Sequence, residues 1–174
     1  LHLRLVPGGQ FTQYVFEEMP EKVILRIEAP LGTFYLREES TKPIIFVAGG
    51  TGFAPIKGII EHMIHHGMQR EIVLYRGGRV QSDLYMDELS RRWAEFLPNL
   101  RYIPVLSEEP ADSDWKGRTG LVHEAVLADY PDLRGHQAYV CGAPGMVEIA
   151  HKTFVEQGLP EDEFFSDAFT FAPK

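Results

Sequence analysis

The chain has 174 residues, 44% apolar and 24% charged, with a formal net charge of −8. That composition is ordinary for a soluble globular chain of one domain plus part of another. With no Lys/Arg cluster it argues against nucleic acid, and no apolar run reaches the roughly eighteen residues of a membrane span. A single Cys, Cys141, leaves no internal disulfide and no iron–sulfur cluster held within this chain. No signal peptide is evident, so a cytoplasmic location is the default expectation; the oligomeric state carries no signal.

The chain opens on alternating Leu1, Leu3 and Leu5 against His2 and Arg4, so a strand is expected near residues 1–6. Leu1 is not Met, and the chain reads as excised from a longer protein. A short helical turn is expected near 11–18, a strand from Lys22 to Ala29, and a turn at Pro30-Leu31-Gly32. From Pro43 the pattern becomes strand–helix alternation. Apolar runs end near Ala48, Tyr75, Leu106, Cys141 and Phe165, at intervals of roughly thirty residues, the length of a βαβ unit. Between them lie four predicted helices: Ile56–His66, ended by Gly67; Leu84–Phe96, capped by Ser82 or Asp83; Leu121–Tyr130, opened by Thr119 or Gly120; and Gly145–Gln157, opened by Pro144 and ended by Gly158. The expected fold is α/β: a five-stranded parallel sheet with helices on both faces, residues 43–174, preceded by a remnant of an antiparallel barrel, residues 1–42.

The most informative stretch is Gly49-Gly50-Thr51-Gly52-Phe53-Ala54-Pro55, directly after the apolar run Ile44–Ala48. Strand, glycine turn and helix start together aim backbone N–H groups and a positive dipole end at an anion, typically a phosphate. A P-loop is excluded, because Lys57 lies between Ile56 and Gly58. The dinucleotide pattern Gly-x-Gly-x-x-Gly fits at Gly50 and Gly52, but Pro55 stands where the third Gly belongs. By itself the turn reads equally as an ordinary strand-to-helix connection. In open parallel sheets ligands bind outside the carboxyl ends of the strands. There the other special residues cluster: Gly77-Gly78-Arg79, Ser107-Glu108 and Cys141-Gly142-Ala143-Pro144.

Those strand-end motifs, with the segment Tyr75-Arg76-Gly77-Gly78-Arg79 to Asp83-Leu84-Tyr85, Trp115-Lys116-Gly117-Arg118-Thr119-Gly120 and the ending Phe165-Ser166-Asp167-Ala168-Phe169, resemble the ferredoxin–NADP reductase superfamily over essentially the whole chain. The likeness is greatest to NADH-dependent reductases of the CDP-6-deoxyglucoseen reductase and phenol hydroxylase reductase type. Flavin reductases sharing the Asp-Ala-Phe ending are similar too.

The resemblance implies an FAD-binding barrel ahead of a nicotinamide-nucleotide domain. Its main flavin motif, Arg-x-Tyr-Ser/Thr, has no match here; its second flavin segment is present as Gly8-Gly9-Gln10-Phe11-Thr12, where Gly8, Gly9 and Thr12 would meet the flavin diphosphate. It implies that Gly49, Gly50, Thr51, Gly52 and Pro55 hold the cofactor diphosphate, with Gly142 and Pro144 completing the site. Arg79 would reach the adenosine half of the nucleotide, or else be a solvated loop arginine; Arg76 is given no role. At Ser107-Glu108 relatives that use NADP carry Ser-Arg, so Glu108 implies NADH over NADPH, unless Glu108 and Glu109 simply face solvent. Cys141 would pack against the nicotinamide, Asp167 and Phe169 would lie near the flavin, and these three form the expected reaction centre. For Phe169 plain core packing with Phe164, Phe165 and Phe171 is the alternative, and for Cys141 a buried apolar role. His62 and His66 share a helix face, but no third ligand suggests itself, and no metal is expected.

The function implied is an NAD(P)H-dependent flavin oxidoreductase. It would pass hydride from NADH to FAD, then electrons to a ferredoxin-like acceptor protein or domain, any iron–sulfur cluster lying in a missing domain or partner. The chain alone is expected to be inactive. Alternatives are a reductase that takes free flavin as substrate and a non-catalytic nucleotide-binding regulatory module.

Overall fold

A computed structural model describes residues 1–170, and they divide into two compact units, Leu1–Thr33 and a second that begins at Phe34. In the first unit, α1 (Gln10–Gln13) runs into a wider turn over Tyr14–Glu18, matching the helical turn expected near 11–18. The strands expected near 1–6 and at Lys22–Ala29 do not form, and no ladder joins any of residues 1–33. Alternating hydrophobicity predisposes a segment to be a strand, but only a hydrogen-bonded neighbour makes it one.

The second unit holds a six-stranded, wholly parallel sheet. In chain order its elements are β1 (Ile44–Gly49), α2 (Phe53–His65), β2 (Ile72–Gly78), α3 (Asp87–Phe96), β3 (Leu100–Leu106), β4 (Arg118–Thr119), α4 (Val122–Asp129), β5 (Gln137–Gly142), α5 (Pro144–Glu156) and β6 (Phe164–Ala168). The spatial order is β4-β3-β2-β1-β5-β6. β1 is central, and its apolar run is buried on both faces, as a parallel strand covered by helices requires. Ile44, Phe46 and Ala48 pack with Phe53, Ile56, Ile60 and Met63 of α2 and Trp93 of α3. Ile45 and Val47 pack with Val122 and Val126 of α4 and Val147, Ala150 and Phe154 of α5. Helices therefore cover both faces, two to each. No helix among the described residues is long and apolar enough to cross a membrane.

The sixth strand is the two-residue β4, whose Arg118 and Thr119 pair with Val105 and Leu106. Both are exposed, so no hydrophobic period announced them; short polar edge strands are how sheets blunt their borders. β6 runs past Phe165 to Ala168 because its backbone stays in register with β5, from Ala138↔Phe164 to Gly142↔Ala168. α3 starts at Asp87 instead of Leu84, since Met86 takes a left-handed conformation at φ +57° just before it. Asp83 does not cap that helix. Its Oδ2 accepts from the backbone N–H groups of Arg79 and Val80 and closes the short turn Gln81–Asp83 instead. Likewise α2 starts at Phe53, placing Pro55 inside its first turn, where a missing N–H still costs nothing.

The second unit also takes in residues ahead of Pro43. Leu36 lies in the core, the Arg37 N–H donates to the Tyr139 hydroxyl at 3.0 Å, and the Arg37 guanidinium covers the Phe165 ring at 4.4 Å. Arg70 then clamps this segment by donating to the carbonyls of Arg37 and Lys42 and to Gln137 Oε1. Gln137 in turn donates to Glu163 at 2.7 Å, and Lys42 forms an ion pair with the same carboxylate. Burial alone would raise the Glu163 carboxyl, but these donors and the Arg70 charge hold it below the ordinary glutamate value. A carboxyl so depressed contributes stability that is present above its unfolded value and lost as pH falls through its folded value. Glu163→Gln is therefore expected to cost about 1 kcal/mol at neutral pH. That difference should shrink toward zero as pH is lowered below the carboxylate range, read from denaturant unfolding at several pH values.

Candidate nucleotide-binding site

The strand order makes a switch point between β1 and β5. From β1 the chain moves outward through β2, β3 and β4, then returns to the other side of β1 as β5 and β6. The crevice at such a point, outside the carboxyl ends of the strands, is where open α/β sheets bind ligands. At this border β1 ends on Gly49 and β5 on Gly142, and two helices start, α2 and α5.

The turn Gly50–Gly52 is a single tight helical turn, with Gly50 at φ +53°. It is held by the N–H of Phe53, which donates to the carbonyls of Gly50 and Thr51. The turn lies so close to the end of β5 that a Cβ on Gly52 would stand 2.1 Å from the Cys141 carbonyl oxygen. Gly142, at φ +152°, has its Cα hydrogen position pressed against Met146 and the Gly49 carbonyl. No side chain caps the N-terminus of α2 or that of α5. Pro144 occupies the first turn of α5, where it removes one donor and fixes the direction of the others. Two helix starts of thirteen-residue helices thus meet at the switch point with their N-terminal N–H groups unclaimed by side chains, a setting suited to a doubly charged anion such as a diphosphate.

Beside it, the loops after β2 and β3 are tied together. The N–H groups of Ser107 and Glu108 donate to the carbonyls of Gly78 and Arg79, at 3.0 and 2.8 Å. Arg79 is exposed and sits near Asp83 at 3.7 Å. Glu108 is exposed, whereas Glu109 is not idle: its carboxylate accepts from the Gln81 N–H at 3.0 Å and from Gln81 Nε2 at 2.8 Å. Gln81 Nε2 also donates to Asp114 at 3.0 Å. The Trp115–Gly120 motif has a scaffolding task. Arg118 grips Asp129 and the Ala125 carbonyl, Asp129 also accepts from the buried Tyr75 hydroxyl, and Trp115 Nε1 donates to the Arg118 carbonyl.

On the other side, Cys141 is fully buried and Asp167 is its register partner on β6. The N–H of Phe169 donates to the Gly142 carbonyl at 3.0 Å, so the backbone of all three stays together at one corner of the sheet. Phe169 is 39% exposed and so is not a core residue. Phe171 lies outside the described residues. Burial, and secondarily the Asp167 charge, push the Cys141 thiol up to about 12, so at neutral pH it is a protonated, apolar side chain with no nucleophilic character.

Gly8, Gly9 and Thr12 belong to the first unit. The Thr12 hydroxyl accepts from the Val6 N–H at 3.1 Å and lies 3.3 Å from the Gly9 carbonyl, closing a local turn, and the helix it begins has only four residues.

Sequence reasoning places Arg76 and Tyr85 within a motif but ranks Arg76 below Arg79 and gives Tyr85 no role. Arg76 is 1% exposed, although it directly follows the apolar run Ile72–Tyr75. A charged residue in register within a buried parallel strand was itself the signal, since Arg is almost never fully buried without a reason. His62 pairs with Glu38 at 2.9 Å and stacks on His66 at 4.1 Å. Among the described residues no group of three or more potential ligands is placed to hold a metal.

Residues 46–152 match the profile of the oxidoreductase NAD-binding domain. The chain belongs to that family. It is 45% identical, over 97% of its length, to the CDP-6-deoxy-L-threo-D-glycero-4-hexulose-3-dehydrase reductase of Yersinia pestis, covering 50% of that protein. It is 39% identical to the naphthalene 1,2-dioxygenase system ferredoxin–NAD(P)+ reductase component of Pseudomonas putida, covering 97% of this chain and 51% of that one. The crystal structure of the Amycolatopsis cytochrome P450 reductase GcoB superposes with a TM-score of 0.86 at 35% identity, over 97% of this chain and 51% of that chain. The chain therefore spans about half the length of the curated relatives it matches.

The buried thiol supplies a direct check. With iodoacetamide at about pH 8, Cys141 in the folded chain is expected to stay unmodified for hours, and to react stoichiometrically once guanidinium unfolds it. Mass spectrometry of the two samples reads the difference; rapid native labelling would contradict the burial and the raised thiol.

Proposed function

We propose that this chain is the NADH-binding part of a flavin-dependent reductase, which takes a hydride from NADH onto FAD and hands electrons singly to an iron–sulfur partner. The observation that carries the nucleotide half is the pair of uncapped helix starts, α2 and α5, at the β1/β5 switch point of a family NAD-binding domain. The flavin and partner halves are supported by the relatives, whose names describe reductase components of oxygenase, dehydrase and P450 systems. Bound NADH supplies the hydride; the protein supplies position and electrostatics.

In this reading Gly49, Gly50, Thr51, Gly52, Gly142 and Pro144 receive the diphosphate, with backbone N–H groups and two helix dipoles opposing its charge. Pro55 fixes the first turn of α2. Arg79, on the exposed loop after β2, reaches the adenosine half, and Ser107 and Glu108 lie beside it through their backbone bonds to Gly78 and Arg79. Cys141 provides a neutral, compact wall for the nicotinamide, and Asp167 and Phe169 border the same corner. No proton is taken or given by Cys141, because its thiol is held protonated. Gly8, Gly9 and Thr12 are the flavin-side segment. In the complete enzyme, Cys141→Ala is expected to slow flavin reduction by roughly ten- to a thousandfold with a smaller effect on NADH affinity. Stopped-flow reduction at the wild-type rate would leave Cys141 a core residue only.

Nucleotide choice follows from charge. Glu108 takes the position at which relatives that use NADP carry an Arg, so NADH is expected to bind more tightly than NADPH by up to about a hundredfold. Glu108→Arg should narrow the ratio. Calorimetric titrations with both nucleotides test this, and NADPH binding at least as tightly as NADH to the unmodified chain would overturn it.

A further inference from the structure

Arg76 is paired in register with Ala48, one residue before the glycine turn begins. Its side chain enters the layer between the sheet and α2 and α3. The guanidinium lies 3.9 Å over the ring of Phe53 and 5.2 Å from the ring of Tyr85, and it donates to the Tyr85 carbonyl at 2.8 Å. The Tyr102 hydroxyl, which donates to Asp87, and the Asp87 carboxylate both favour the charged form of Arg76. Asp87 itself is taken by Arg91 at 2.6 Å. Among the described residues no carboxylate forms an ion pair with Arg76. Burial lowers its proton affinity, yet a guanidinium stays charged in any protein. Among the described residues the buried cation has a carbonyl, two rings and the Asp87 charge beyond contact distance, but no carboxylate in direct contact, an arrangement costly to the folded state unless a further anion answers it.

The neighbour beneath that cation is informative. Phe53 is the residue whose N–H closes the turn Gly50–Gly52 by donating to Gly50 and Thr51. Arg76 therefore touches the side chain of the residue whose N–H closes the glycine turn. We propose that Arg76 is a positioning residue for the nucleotide: the bound diphosphate compensates its buried charge, while its contacts with Phe53 and Tyr85 fix the turn and the neighbouring loop. This rests on the nucleotide-binding reading given above. The sheet border then carries three sources of positive potential, the two helix starts on the outside and one full charge from within. The full charge sits in low dielectric, where it is poorly screened by salt.

The test separates charge from shape in the 174-residue chain. Arg76→Gln keeps a donor for the Tyr85 carbonyl without the charge; Arg76→Lys keeps charge and donor on a different shape. Calorimetric titration with NADH and with ADP-ribose is expected to show about tenfold weaker binding of both by Arg76→Gln. Arg76→Lys should remain within about twofold of the unmodified chain. Unaltered binding by Arg76→Gln overturns the inference, and so does a loss in Arg76→Lys as large as that in Arg76→Gln, since the charge is then not what matters. If circular dichroism shows that Arg76→Gln does not fold, Arg76→Lys decides alone: near-native affinity supports the inference and a tenfold loss overturns it. Failure of the unmodified chain to bind either ligand would sink the nucleotide reading and this inference with it, whereas binding that ignores both substitutions sinks the inference only.

Discussion

The site depends on how closely the turn after β1 lies against the end of β5. At Gly52 the gap is too small for a single methyl group, since a Cβ there would stand 2.1 Å from the Cys141 carbonyl. No side chain except hydrogen lets the two strand ends meet in this way. The contact brings the start of α2 to the start of α5 and so concentrates two sets of uncapped N–H groups at one place. It also fixes Cys141 beside the turn, so that the groups read as diphosphate-binding and as nicotinamide-facing are neighbours by construction. Gly142 and Met146 extend the same packing on the other side of Gly49.

Around that contact the interior is polarised by unusual means. Most of the sheet is an ordinary sandwich of aliphatic and aromatic layers. At the border, however, a buried arginine sits between Phe53 and Tyr85, and a buried thiol is held neutral. A charge kept in the interior lowers the stability of the empty protein, and a site that must receive an anion has reason to carry one. The opposite border of the sheet shows the contrast. There Arg70 is surrounded by carbonyls and Gln137, with Glu163 and Lys42 close by, a fully partnered network that binds residues 34–43 to the domain.

The sequence by itself determined the strand–helix alternation, the parallel sheet with helices on both faces, and the clustering of glycines and polar residues at the carboxyl ends of the strands. These follow from local signals: apolar runs buried on both faces, and Gly and Pro at turns and helix starts. What depends on pairing between distant segments was decided only by the tertiary structure. The placement of β5 against β1, which creates the switch point, is such a case. So are the two-residue β4, whose polar residues have no period to read, and β6, which runs beyond its apolar part because β5 supplies its ladder. Residues 1–6 and 22–29 illustrate the reverse, having strand-like patterns and no partner in their own unit. The same division holds within the site. Spacing marked Gly49–Gly52, Cys141 and Glu108. It gave no hint that Glu109 is the carboxylate pinned by Gln81, whereas the burial of Arg76 was signalled by its place directly after a buried apolar run and went unread. A side chain's charge can be read from its letter; whether water or protein surrounds that charge is set by the elements packed above it, and these come from far along the chain.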